Sequence, residues 1–260
     1  MRTSVQLLGR AWAHLPLRVG AAAIVLGYHH VCDDLPGGVH PRDFREQVTW
    51  LRSDSGIIDV LCLEAAKQRL HARGALRAAV LTFDDALNDF YAGAFPVLST
   101  AGIPATLFVP VTLLGSNGYM TRAQVQEVAR SGVDVGGHSR RHVDLRGCTD
   151  RELEREVRGC REELEDLLAV RVRSFAYPAG FYNDRVARAV HDAGYSIAVT
   201  THRGWWRRRT DPMQVPRSFI EDMPLPTFKA ATKGGLHVLA LADRIRGLER
   251  LGSAQPPAES

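Results

Sequence analysis

No stretch of this 260-residue sequence stays apolar for the roughly 18 to 20 residues that a membrane-crossing helix requires, so a helical transmembrane protein is not expected. Cysteine is sparse. Cys32, Cys62, Cys148 and Cys160 show no CxxC spacing, which removes zinc-ribbon and dithiol redox motifs and argues against a disulfide scaffold. Free thiols in a reducing compartment are the expectation, with Cys160 on the apolar stripe of a helix. Charge of one sign is also scarce: the formal net charge is +4, and the one compact basic run is Arg207, Arg208 and Arg209 beside Trp205 and Trp206. A solvated loop is the simpler reading of that run, and no nucleic-acid partner is expected. There are no repeats or low-complexity linkers to split the chain. With 45% hydrophobic and 24% charged residues, it reads as one ordinary globular domain.

The amino terminus needs separate treatment. Arg2, Arg10 and Arg18 precede the apolar run VGAAAIVLG, which has the outline of a short signal-peptide core. That run flows into YHHV without a convincing cleavage site, and a cut there would remove the first strand. The expectation is a cytoplasmic protein with an N-terminal extension over residues 1–22 that can lie near a membrane surface. A barrel over 23–251 and a disordered tail over 252–260, ending in SAQPPAES, complete the division. Nothing in the sequence sets the oligomeric state.

Seven short apolar runs have the length and residue types of buried strands: 22–27, 56–61, 78–83, 105–110, 133–137, 172–177 and 196–201. Helical patterns lie between them. The clearest follows Thr149, where Leu153, Val157, Cys160, Leu164 and Leu167 recur at steps of three and four and Glu152 completes a capping box. Asn183 starts another through Val186 and Val190, ended by Gly194. Further helices are expected over 43–53, 63–72, 88–101, 121–131 and 227–251. Strict alternation of strand and helix implies an α/β fold on a mostly parallel sheet, and seven units favour a barrel over an open sheet. Such folds place their chemistry at the carboxyl ends of the strands.

Polar residues cluster at those ends. YHH (28–30) follows the first strand, Asp84 and Asp85 the third, HSRRH (138–142) the fifth, YPAG (177–180) the sixth and TTH (200–202) the seventh. Taken singly, an aspartate pair can cap a helix and two histidines can be surface residues. Together they converge on one end of a barrel. Adjacent carboxylates repel unless a cation lies nearby. His138 and His142 with one of the two carboxylates make a set that suits zinc or a similar transition metal with open positions, and the other carboxylate would be free to act as a base. That combination supports metal-assisted hydrolysis of an amide or ester.

LTFDDA, HSRRHVDL, FAYPAG and DAGY (192–195), with YHHV upstream, resemble the polysaccharide deacetylases of carbohydrate esterase family 4, the NodB-homology domain, in its FAYP-motif branch. The resemblance runs from about residue 24 to 220. It implies a distorted (β/α)7 TIM-like barrel, Asp84 as catalytic base, and Asp85, His138 and His142 as metal ligands. It also implies removal of an acetyl group from a sugar. The metal expected is zinc, with cobalt, nickel or manganese as alternatives, and the partner a carbohydrate: a polysaccharide, glycolipid or glycoside.

Three departures mark this chain. Ala86 stands where most members have glycine. The third motif reads Ala176, Tyr177, Pro178, Ala179, Gly180 and lacks the arginine that would orient the base, for which Arg217 in VPRSFI is the candidate replacement. Tyr177, Pro178 and Ala179 are placed by resemblance at the substrate, with the Ala179 backbone N–H at the oxyanion. The closing Leu-x-His motif, whose histidine protonates the leaving amine, is missing, and His202 is the first candidate substitute with His29 second. Two other readings compete: an amidase for non-sugar N-acyl substrates on the same barrel, and a non-catalytic carbohydrate-binding relic.

Overall fold

The computed structural model describes residues 21–35, 37–53, 59–72 and 76–232. β1 (Ala22–Tyr28) and β3 (Arg77–Phe83) run parallel in unbroken register, from Ala22 beside Arg77 to Tyr28 beside Phe83. Their near-continuous apolar residues suit strands covered on both faces. Alternation then sorts the side chains. Ile24, Leu26, Tyr28, Ala79, Leu81 and Phe83 join the large outer cluster under the helices. Ala23, Val25, Ala78 and Val80 join an inner cluster with Phe108, Ala176, Ile197 and Val199.

β4 (Ala105–Val109), β5 (Asp134–Gly137), β6 (Ser174–Ala176) and β7 (Ile197–Val199) extend the sheet beyond β3, each parallel to its neighbour. β2 (Asp59–Val60) falls within the strand expected over 56–61, of which residues 56–58 lie outside the described residues. It takes the amino-terminal half of one β3 edge at Ala78 and Ala79, while β4 takes the carboxyl half at Leu81 to Phe83. The other edge of β1 is shared in the same way, by antiparallel β8 (Trp206–Arg207) at Ala22 and Ala23 and by parallel β9 (Ser218–Phe219) at Leu26 and Gly27.

Closure comes from irregular chain. Val215 N–H bonds Ala198 O, Thr200 N–H bonds Val215 O, and Arg217 N–H bonds His202 O, before the same segment enters β9 against β1. One side of residues 212–219 therefore faces β7 and the other faces β1, which completes a distorted (β/α)7 barrel. The amino-terminal mouth is covered by α2 (Leu63–His71). Its Leu63, Ala66 and Leu70 pack into the inner cluster, and Glu64 and Lys67 both bond Ser196 at the base of β7.

The remaining helices are α1 (Pro41–Ser53), α3 (Phe95–Ala101), α4 (Arg122–Arg130), α5 (Asp150–Leu168), α6 (Asp184–Asp192) and α7 (Leu225–Ala230). The Thr149–Glu152 capping box opens α5, Asn183 caps α6 by accepting from Val186 N–H, and Gly194 follows α6 at φ 93°. The helix expected over 88–101 is not uniform: Phe90–Ala94 is a π turn that runs into α3. A methyl group at Gly93 would sit 2.4 Å from Val31 O, so glycine there lets the loop after β1 press directly on this turn. Cys160 is buried and its thiol is pushed up to about 12 by that burial; all four cysteines are free. Arg207, Arg208 and Arg209 are exposed.

Of the expected N-terminal extension, residues 1–20 lie outside the described residues, and Ala22 already belongs to β1. The helix expected to Leu251 and the tail lie outside them beyond residue 232. Among the described residues no helix is long and apolar enough to cross a membrane.

Candidate active site

β3 ends at Phe83 and delivers Asp84 into the barrel mouth. Asp84 is 3% exposed, and its carboxylate is gripped in bidentate fashion by Arg217, Nη1 to Oδ1 at 2.7 Å and Nη2 to Oδ2 at 2.8 Å. Arg217 is itself fully buried. Its Nε donates to Thr200 O at 3.0 Å and its Nη1 also reaches Thr82 Oγ1 at 3.3 Å, with the guanidinium over the Phe219 ring at 4.8 Å. Burial pushes the Asp84 carboxyl up, but the charge and hydrogen bonds of Arg217 outweigh it, and the group titrates below its ordinary value.

Asp85 turns the other way because its φ is 73°. Its Oδ1 lies 3.5 Å from His138 Nε2 and 3.3 Å from His142 Nε2, and the three candidate ligand atoms lie within 4.8 Å of one another. His138 is carried from the end of β5, with its N–H on Val109 O, and its Nδ1–H donates to Ala176 O at 2.7 Å. That bond fixes the tautomer and leaves the Nε2 lone pair facing Asp85, the arrangement expected of a metal-ligating imidazole. His142 is placed by a backbone bond to Ser139 Oγ at 2.9 Å.

The electrostatics follow from this arrangement. Burial works against a low Asp85 pKa, yet the neighbouring His138 imidazole, with His142 beside it, brings it to about 2. Burial also disfavours the charged form of His138, but the two carboxylates overcome it and shift that imidazole upward, while burial shifts His142 downward. Asp85 Oδ1 is buried without a hydrogen-bond partner. An orphaned carboxylate oxygen between two imidazole nitrogens fits a divalent cation, and the N, N, O donor set fits a borderline transition ion better than magnesium or calcium.

Backbone strain gathers around this point. Of the six described non-glycine residues with positive φ, five are Asp85, Ala86, Ser139, His142 and Ala179, in the three loops that form the site. Such conformations cost on the order of 1–3 kcal/mol each and persist where the surroundings over-determine them. Ala86 adopts φ 52° although it carries a methyl group. Glu156, absent from the sequence reading, is a large part of what holds the histidine loop. This fully buried carboxylate on α5 accepts the backbone N–H groups of both Arg140 and Arg141 at 3.0 Å and pairs with the Arg141 side chain. The available signal was a carboxylate on the apolar stripe between Leu153 and Val157.

The other expected residues divide. His29 is exposed and stacked on Phe219 at 4.7 Å. The β1–β3 register sets it level with Asp84, whose N–H bonds Tyr28 O. His202 has its ring 5.8 Å from that of Tyr182 and its N–H on Thr200 Oγ1. Pro178 is buried and Ala179 is exposed at the tip of the loop after β6, at φ 51°. The Tyr177 side chain packs in the core: it is fully buried, stacked on Tyr182 at 4.7 Å, with its hydroxyl donating to Met213 O.

Residues 72–198 match the polysaccharide deacetylase family model. The candidate polysaccharide deacetylase YxkH of Bacillus subtilis is 28% identical over 181 residues, which span 69% of this chain and 64% of that protein. The poly-beta-1,6-N-acetyl-D-glucosamine N-deacetylase of Staphylococcus epidermidis is 24% identical over 198 residues, 71% of this chain and 68% of that protein. The chain thus spans 64% to 68% of the length of these curated relatives. A Streptococcus pyogenes deacetylase in complex with acetate superposes with a TM-score of 0.76 over 82% of this chain and 99% of that one, a likeness of fold at 24% identity.

Proposed function

The chain carries a polysaccharide deacetylase domain of the NodB-homology, carbohydrate esterase family 4 type, and from that premise we propose that it hydrolyses the acetamide of an N-acetylated amino sugar. N-acetylglucosamine within a polymer is the leading substrate, by analogy with the Staphylococcus epidermidis relative. The observation that carries the reading is the convergence of Asp85, His138 and His142 beside a carboxylate that Arg217 holds ionised.

Asp85, His138 and His142 would hold a divalent cation, zinc before cobalt, nickel or manganese. Such an ion supplies Lewis acidity, easing deprotonation of a water and polarising the acetyl carbonyl. Asp84 accepts the proton of the attacking water, and Arg217 keeps it charged and fixes its orientation. The Ala179 backbone N–H, at the exposed tip of its loop, meets the oxygen of the tetrahedral intermediate. The amine then needs a proton before it can leave. His29 is the better placed donor, because the β1–β3 register sets it level with Asp84, whereas the His202 ring packs toward Tyr182.

The test is free-acetate release from a panel of N-acetylglucosamine oligomers set beside N-acyl amides that lack a sugar. Release from the oligomers alone supports the reading, and release from the amides alone replaces it with an amidase. His29→Ala should depress N-deacetylation far more than hydrolysis of an activated acetate ester, whose leaving group needs little protonation. Equal losses on both, with selective loss in His202→Ala, would transfer the role to His202.

A further inference from the structure

A second group of ligand-type side chains lies apart from the Asp85 set. His30, Cys32 and Asp89 each offer one such atom, and these atoms lie within 4.8 Å of one another. His30 Nδ1 is 2.7 Å from Asp89 Oδ2, while the other carboxylate oxygen, Asp89 Oδ1, is buried without a hydrogen-bond partner. A simple histidine–aspartate pair accounts for the first contact. It leaves the buried oxygen unsatisfied, which costs free energy, and gives no role to the thiol beside it. All three residues are half-buried, so the cluster is enclosed yet reachable from solvent.

We propose that His30, Cys32 and Asp89 form a second cation site, specific for a thiophilic divalent ion such as zinc, with water completing the coordination. The donor set makes this choice: thiolate, imidazole and carboxylate together suit zinc or cobalt, whereas magnesium and calcium require all-oxygen surroundings. As the metal–sulfur bond forms, the Cys32 thiol releases its proton to solvent. The ion would join two segments already in contact. His30 and Cys32 flank Val31, whose carbonyl presses on Gly93 in the π turn, and Asp89 immediately precedes that turn. His29 is bonded to one ligand, and Asp84 and Asp85 lie a few residues before another. A cation here therefore clamps the loop that carries His29 to the segment that carries the two aspartates.

The Asp85 set contains no sulfur, so the two sites differ spectroscopically. The test loads metal-free full-length protein with cobalt(II) and follows stoichiometry together with the near-ultraviolet sulfur-to-cobalt charge-transfer band. Two cobalt ions per chain and a thiolate band are expected. Cys32→Ser should lose the band and one equivalent, and His142→Ala should lose one equivalent but keep the band. Cys62→Ser and Cys148→Ser should change neither. One cobalt per chain without a thiolate band, or a band that survives Cys32→Ser, overturns the proposal. Should Cys32→Ser fail to fold by circular dichroism, Asp89→Asn decides in its place: full occupancy with an unchanged band in that variant is equally fatal.

Discussion

At Asp84 two effects oppose each other, and their balance determines whether a base is available. Burial favours the neutral acid, while the two-pronged contact with Arg217 favours the carboxylate, and the contact wins. Asp84→Asn should keep the metal ligands intact and lose on the order of 10²- to 10⁴-fold in turnover, the usual cost of removing a general base. Metal content of the variant checks the assignment, because loss of metal would mean that the two aspartates have exchanged roles. Arg217→Leu should destabilise the fold by about 3–5 kcal/mol, since it strands a buried charge. The same change should move the acid limb of the pH–rate profile upward. In the native protein the depressed Asp84 pKa keeps the carboxylate ionised until pH falls below its ordinary range. Without Arg217 the lowering influence that remains, chiefly from His138, is weaker, and the base protonates at higher pH. The associated stability has the same sign: it is present above the unfolded pKa and lost as pH falls through the folded one. Arg217→Lys should restore charge but not the bidentate geometry, and recover only part of either effect.

Among the elements, α5 does more than cover the sheet. Its capping box starts it, its apolar stripe docks it, and Glu156 on that stripe reaches the loop that carries both histidines. Glu156→Ala should weaken zinc binding by roughly 10- to 100-fold, the range seen when outer-shell support of a metal ligand is removed. Competition with a chromophoric chelator measures this directly, and unchanged affinity would show that the loop holds its shape alone. Strand and helix periodicity made α5 and the long strands legible in the sequence, and with them the positions of Asp84, Asp85, His138 and His142 at strand ends. Periodicity says nothing about a two-residue strand, so β8 and β9 were not visible. It also cannot distinguish a π turn from an α-helix, since Phe90–Ala94 obeys the same coarse pattern. Motif resemblance locates a backbone segment but does not say which way an aromatic ring turns, and the Tyr177 side chain turns into the core. Arg217 is legible only as a charge missing from one motif and present in another, and only its place on the apolar stripe separates Glu156 from the other glutamates of its helix.

For the molecule as a whole, the barrel is closed by irregular chain over 212–219 and floored by α2, with Trp206 sealing the inner cluster beside Ala23. Trp206 is 1% exposed, and Trp206→Ala should cost about 3–5 kcal/mol in denaturant unfolding. The loss should exceed that of any exposed residue in the neighbouring Arg207–Arg209 run, where surface changes are worth about 0.5 kcal/mol or less. Closure matters because it brings Arg217 from the last segment to Asp84 at the end of β3, a contact between residues 133 positions apart. That long-range pairing lies beyond what local sequence patterns encode. The central claim is that this closed barrel holds a metal-dependent deacetylase site. It is tested most directly by acetate release from N-acetylglucosamine oligomers, measured on chelator-stripped protein before and after zinc or cobalt is returned. The account predicts no release from the stripped protein and recovery on reloading; release that is unaffected by stripping, or none after full reloading, would contradict it.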